Sequence, residues 1–140
     1  MLIVPLLLLA WATICDLRSR EIPDAISGLV AVWAIGARIT GFIDVPWLHM
    51  AAGCLLGLGL GLILFRLGGL GGGDVKMIAA LGMAVGPALL LEALFFMALA
   101  GVLLALVAAL RSQREFAYMP AIAAGFLSMA LLTEGALRWP

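Results

Sequence analysis

The sequence predicts an all-α, polytopic membrane protein of about six transmembrane helices, and three observations carry that prediction. Apolar residues make up 66% of the 140 residues and charged residues 11%, where a soluble domain holds roughly 45–50% (glycine included) and about 25%. Mean hydropathy is +1.24. The apolar residues stand in long unbroken runs, not in the alternating ~10-residue segments of a membrane β-barrel. A soluble globule of this size cannot bury so much apolar surface, and the same numbers exclude disorder. A spanning helix takes ~20 residues, so a single membrane-embedded domain is expected to fill residues 1–140 and to leave no room for a soluble one.

The first apolar run, about 1–17, imitates a secretory signal, with Ala10-Trp11-Ala12 placed like a cleavage site. It lacks a basic start and other spans follow, so it is read as the first helix. A polar turn runs from Asp16 to Asp24, and Pro23 suits the first turn of a second helix that reaches about Phe42. Gly41, Asp44 and Pro46 mark the next turn, and a third helix runs from about Trp47 to Phe65. The segment Gly68 to Gly73 is too rich in glycine to stay helical. A fourth helix begins near Asp74 and meets Gly86-Pro87. At 1.5 Å per residue it covers about 18 Å, short of the ~30 Å hydrocarbon core. Either it continues past Pro87 or it ends inside protein. Irregular backbone at that depth is tolerated only against protein or water, which points to a cavity near residues 66–76. The fifth helix reaches about Leu110, Arg111 to Glu115 form a polar loop, and the sixth helix covers about 117–136. Gly53, Gly57 and Gly61 form a small-residue stripe on the third helix. Close packing inside the molecule is its favoured use, and contact within a homo-oligomer is the alternative.

Eight basic residues balance eight acidic ones, so nucleic acid is not an expected partner; the lipid bilayer is. Cys15 and Cys54 lie in apolar runs without metal-binding spacing and read as small buried hydrophobes. With six spans, loops 1, 3 and 5 share Arg18, Arg20, Arg66, Lys76, Arg111 and Arg114, which is six of the eight basic residues. The positive-inside rule therefore puts those loops in the cytoplasm, with Trp47 and Trp139 at the outer interface.

Ionisable residues within or beside a span are functional candidates. Asp16 closes the first run and Asp74 follows the glycines, both at the cytoplasmic ends of their helices, so the two can face one another. Two apposed carboxylates do not both ionise cheaply. One can then act as a base on water while the other, protonated, acts as an acid on a carbonyl oxygen. The single histidine, His49, falls on the opposite side, so no Ser-His or Cys-His pair is available there. No zinc-ligand cluster exists, and the 68–76 segment is not a phosphate loop, so no metal or cofactor is expected. Each aspartate also has a plain structural use. Asp74 can cap the fourth helix, and Asp16 can pair with Arg18 or Arg20. Three successive glycines before Asp74 exceed what a cap needs and suit backbone brought close to an extended substrate. Lys76 stands two residues from Asp74, off its helix face; a lipid phosphate is its expected contact. A small transporter or assembly subunit, with Asp16 and Asp74 as a proton or cation path, remains the alternative.

Gly71-Gly72-Gly73-Asp74, continuing through Val75-Lys76-Met77 to Gly86, resembles the Gly-x-Gly-Asp motif of the type IV prepilin leader peptidases. Asp16, followed by Arg20, Ile22 and Pro23, is similar to that family's first aspartate block. Ala117-Tyr118-Met119-Pro120, leading to Gly125, resembles its Pro-Tyr-Gly-Pro segment. The resemblance implies an aspartic endopeptidase of the prokaryotic inner membrane, with its active site toward the cytoplasm. Its substrate would be a prepilin or pseudopilin, shortened by removal of a basic N-terminal leader. Asp16 and Asp74 match the catalytic pair. Gly71, Gly73, Lys76, Pro23, Tyr118 and Pro120, standing in or beside these motifs, are expected to contact substrate or support the site. The chain lacks the four-cysteine insertion of larger members and so resembles the short form of tight-adherence (Flp) pilus systems. It departs from the pattern at Asp24, where Asn is usual, at Ala117 in place of Pro and at Met119 in place of Gly.

Overall fold

The computed structural model describes residues 2–19, 24–110 and 119–136. Six helices occupy most of them: α1 (Ile3–Ser19), α2 (Asp24–Ile39), α3 (Trp47–Arg66), α4 (Gly72–Val85), α5 (Pro87–Leu110) and α6 (Met119–Ala136). No strand occurs among the described residues. Two of the helices, α3 and α5, are long and apolar enough to cross a membrane.

Glycine placement explains where the helices stop. Gly41 has φ 72° and Gly68 has φ 75°, in the left-handed region that a side chain disfavours. In each case the glycine N–H bonds back three residues and the next N–H bonds back five: Gly41 to Arg38 and Phe42 to Ala37, Gly68 to Phe65 and Gly69 to Leu64. These are Schellman closures, which satisfy carbonyls that α2 and α3 would otherwise leave open. Gly86, φ 81°, ends α4, and Pro87 opens α5 at a position where its missing N–H costs nothing.

The glycine run before Asp74 is less disordering than its composition suggests. Gly72 and Gly73 are helical, so α4 starts two residues earlier than expected, and Asp74 is the third residue of the helix, not its cap. The reason is local. The Gly71 N–H donates to Asp74 Oδ2 at 3.0 Å, so the carboxylate reaches back over the first turn and ties it down, as in one half of a capping box.

α4 does not continue through Pro87. It ends inside protein, as a short helix enclosed by its neighbours. Asp74, Val75, Met77, Ile78, Ala79, Ala80, Leu81, Gly82, Ala84 and Val85 are all buried. It packs against α2, α3 and α5, while α1 packs against α2 and α6, and α6 packs against α5. The contacts form a circuit α1–α2–α4–α5–α6, with α3 covering α4 from outside. The glycine stripe of α3 makes the α3–α4 contact. A Cβ on Gly53 would run into the Gly82 carbonyl oxygen, one on Gly57 would come within 2.7 Å of the Ile78 oxygen, and one on Gly61 within 3.0 Å of Val75 Cγ1. The stripe is thus used within the molecule. Gly125 serves α6 in the same way, 2.5 Å being left between its notional Cβ and the Ala93 oxygen.

Every helix except α4 turns large apolar side chains outward: Leu7 and Ile14 on α1, Val32 on α2, Leu55 on α3, Phe95 on α5 and Leu131 on α6 among them. Cys15 and Cys54 are half-buried, not fully buried as expected, and neither is in a disulfide.

Candidate active site

The alternating directions of the helices give the bundle two distinct ends. One carries the C-terminus of α1, the N-termini of α2, α4 and α6, and Arg66 at the end of α3. The other carries Asp44, 3.2 Å from Arg38, and His49, whose Cβ stands near Gly86. His49 is therefore remote from the first end, as the sequence implies.

Both aspartates lie at the first end, and both are buried: Asp16 is 8% exposed and Asp74 6%. Charged groups are almost never buried unless something holds them. Asp16 sits near the end of α1, where its Oδ2 accepts the Met119 N–H at 3.1 Å. That N–H is the first of α6, and a helix leaves its first N–H groups without internal partners and presents a positive dipole end. Pro120 follows at the second position of α6. Having no N–H of its own, it costs the helix nothing there. Met119 is fully buried, which fixes the donor. Asp74 spends one oxygen on Gly71, while its Oδ1 is buried with no hydrogen-bond partner among the described residues. The Asp74 carboxyl lies within electrostatic reach of Asp16. A buried carboxyl oxygen without a partner is unusual in a purely structural role, and it marks Asp74, with Asp16 nearby, as a candidate site.

The other residues singled out by the sequence fall as follows. Gly71 precedes α4 and supplies the N–H that Asp74 accepts. Its own notional Cβ would stand 3.3 Å from Asp74 Oδ2, so a side chain there would press on the carboxylate. Gly73 is half-buried in the first turn of α4. Lys76 Nζ lies 2.6 Å from Oδ2 of Asp24, the first residue of α2. Arg18 is exposed. Pro23 and Tyr118, with Arg20, Ala117, Arg111, Arg114 and Trp139, lie outside the described residues.

Two features escaped the sequence reading. The backbone donor of Met119 has no side-chain signature, although a polar turn before Pro120 hinted at a helix start. The Asp24–Lys76 pair was readable in principle, because the charge pattern already places loops 1 and 3 on one side.

Comparison with known proteins adds an independent result. The model of a family described as the type IV leader peptidase family matches residues 3–109. A curated Bacillus subtilis protein named "Prepilin leader peptidase/N-methyltransferase" is 32% identical over 128 residues, covering 84% of this chain and 50% of the relative. The chain thus spans about half the length of that relative. No solved structure matches it.

Proposed function

The chain belongs to the type IV leader peptidase family, and from that premise we propose that it is a membrane aspartic endopeptidase that removes the N-terminal leader of prepilin-like proteins. The observation that carries this reading is the burial of Asp16 and Asp74 at one end of the bundle, within electrostatic reach of one another. The rival transport reading gains nothing from that arrangement: a proton or cation path needs groups spaced along the bundle, and these two share one end.

In the proposed reaction one aspartate is ionised and the other protonated, the state that a close carboxyl pair favours. The ionised carboxylate takes a proton from water as the water oxygen attacks the scissile carbonyl carbon. The protonated carboxyl gives its proton to the carbonyl oxygen, and a tetrahedral diol forms. Collapse breaks the C–N bond. The departing nitrogen takes the proton gained from water, and a diol hydroxyl returns the other, restoring the starting pair.

The membrane assignment rests on the outward apolar side chains of five helices and on the two long apolar helices α3 and α5. An exposed apolar surface of that extent is matched to lipid and not to water. We read all six helices as embedded in a prokaryotic inner membrane as one domain, with α4 shielded from lipid by the others. We assign the aspartate end to the cytoplasm, a reading supported by the positive-inside rule. The test is incubation of the purified protein with a prepilin. Asp16→Asn and Asp74→Asn should each abolish cleavage while the protein still inserts; near-normal cleavage by either variant refutes the assignment.

A further inference from the structure

Asp24 and Lys76 touch neither carboxylate, yet they join the elements that carry them. Residues two apart on a helix point about 200° apart, so Asp74 turns into the bundle while Lys76 turns out of it. There Lys76 meets the first residue of α2, Nζ to Oδ2 2.6 Å, with both side chains more than half exposed. α1 packs against α2 and α6, and α4 against α2, α3 and α5. The spacing of Asp16 and Asp74 is therefore set through intermediaries, and α2 is the one that packs on both helices. Asp24 is also the first residue of α2 and stands eight residues after Asp16 in the chain.

Resting on the reading of Asp16 and Asp74 as the catalytic pair, we propose that the Asp24–Lys76 ion pair is a clasp that fixes the first turn of α4 to the start of α2 and so sets the spacing of the two aspartates. Asp24 and Lys76 are positioning residues, and neither touches the reacting atoms. The exposure of the pair limits its strength, because solvated ion pairs contribute little. Reversing one charge exchanges an attraction for a repulsion, and the effect is then on the order of five- to tenfold in rate. Asp24 also complements the positive end of α2, so its role must be separated from simple helix support.

The experiment compares Asp24→Lys, Lys76→Asp, the double exchange and Lys76→Arg, each as the full chain in neutral-lipid vesicles, with prepilin cleavage as readout. Each single reversal should lower kcat about five- to tenfold with KM little changed. The exchange should recover most of the loss, and Lys76→Arg should stay close to the parent. A second readout is independent of activity. Spin labels at Leu17 and Gly72, both exposed, in a Cys15→Ala, Cys54→Ala background, report the distance between the two aspartate-bearing segments. Its distribution should broaden in each reversal and narrow again in the exchange. Single variants at parental kcat, an exchange no better than the worse single, an effect confined to KM, or an unchanged distance distribution each overturn the clasp. So does recovery of Lys76→Asp by altered lipid charge alone, which would make Lys76 a lipid contact. If the parent protein cleaves no prepilin, the peptidase reading fails, and the distance measurement alone decides the clasp.

Discussion

Gly57 and Gly59 stand two residues apart on α3, and their replacement by alanine should have opposite outcomes. A Cβ on Gly57 would lie 2.7 Å from the Ile78 oxygen and 3.0 Å from the Ala79 Cα, both backbone atoms of α4 that cannot turn aside. Ordinary contact begins near 3.4 Å, so α4 must withdraw by about 0.7 Å. Overpacking of that kind costs roughly 1–3 kcal/mol. The movement falls on the helix that carries Asp74, and a displacement near 1 Å at reacting groups costs on the order of a hundredfold in rate. Gly59 has nothing within 4 Å of its notional Cβ, and alanine is the better helix former. Gly59→Ala should therefore be neutral or slightly stabilising, with parental cleavage. Gly57→Ala should lose stability in a detergent denaturation series and lose at least tenfold in cleavage rate. Equal behaviour of the two variants would refute the argument that the glycine stripe sets the depth of α4.

Replacing Met119 by Pro removes the N–H that Asp16 accepts, at a helix start that tolerates proline; a hydrogen bond contributes about 0.5–1.5 kcal/mol net, so cleavage should fall by up to about tenfold. Met119→Ala removes the same buried side chain but keeps the donor and should retain more activity; equal loss in both would assign the effect to packing. Cysteine placed at Ser112 should be labelled only in permeabilised cells and cysteine at Asp44 in intact ones, and the reverse pattern would invert the membrane orientation. Pilin processed by this protein with a methyl donor supplied should keep an unmodified amine by mass spectrometry. Only seven residues, Leu17 to Pro23, separate Asp16 from Asp24, with no cysteine among them and too few to build the concave polar pocket such a donor needs; a gain of one methyl group would defeat this.

Much of the fold is legible because it rests on local chemistry. Gly41 and Gly68 end helices through backbone geometry that glycine alone adopts easily, and Pro87 begins one, so those boundaries fall within a few residues of the expected ones. The stripe Gly53, Gly57, Gly61 announces close packing, but its partner does not follow from spacing, since the same stripe suits a second copy of the chain. What selects α4 is the complementary Gly82 and Ala79, a long-range match. α4 starts earlier than its glycines predict, because their full cost applies only in a helix interior. In a first turn held by a side chain two or three residues on, that cost is offset. For the site, Asp16 and Asp74 are legible as charges at run ends. Their anchors are not, because a backbone N–H has no letter of its own.

The depth of the pair follows from unequal helix lengths. α3 and α4 run side by side, with Gly53 against Gly82 and Gly61 against Val75. Asp74 therefore stands level with about Gly61, and α3 continues to Arg66, roughly 7 Å further at 1.5 Å per residue. Asp16 is likewise set back from the end of α1 at Ser19, by roughly 4–5 Å on the same rise. Both carboxyls thus lie about one turn beneath the rim of the bundle. A helical substrate is about 10 Å across and closes its own carbonyls in hydrogen bonds, so it cannot present a scissile carbonyl at that depth without unwinding. If the pair is catalytic as proposed, the substrate should meet it as extended backbone whose carbonyl is free of helical hydrogen bonds. The family resemblance implies cleavage where the leader meets the substrate's hydrophobic helix, and a recessed pair suits a bond that is extended when it is cut. Proline substitutions that extend the substrate just before the bond should be tolerated, whereas alanine substitutions that carry the helix across the bond should slow cleavage.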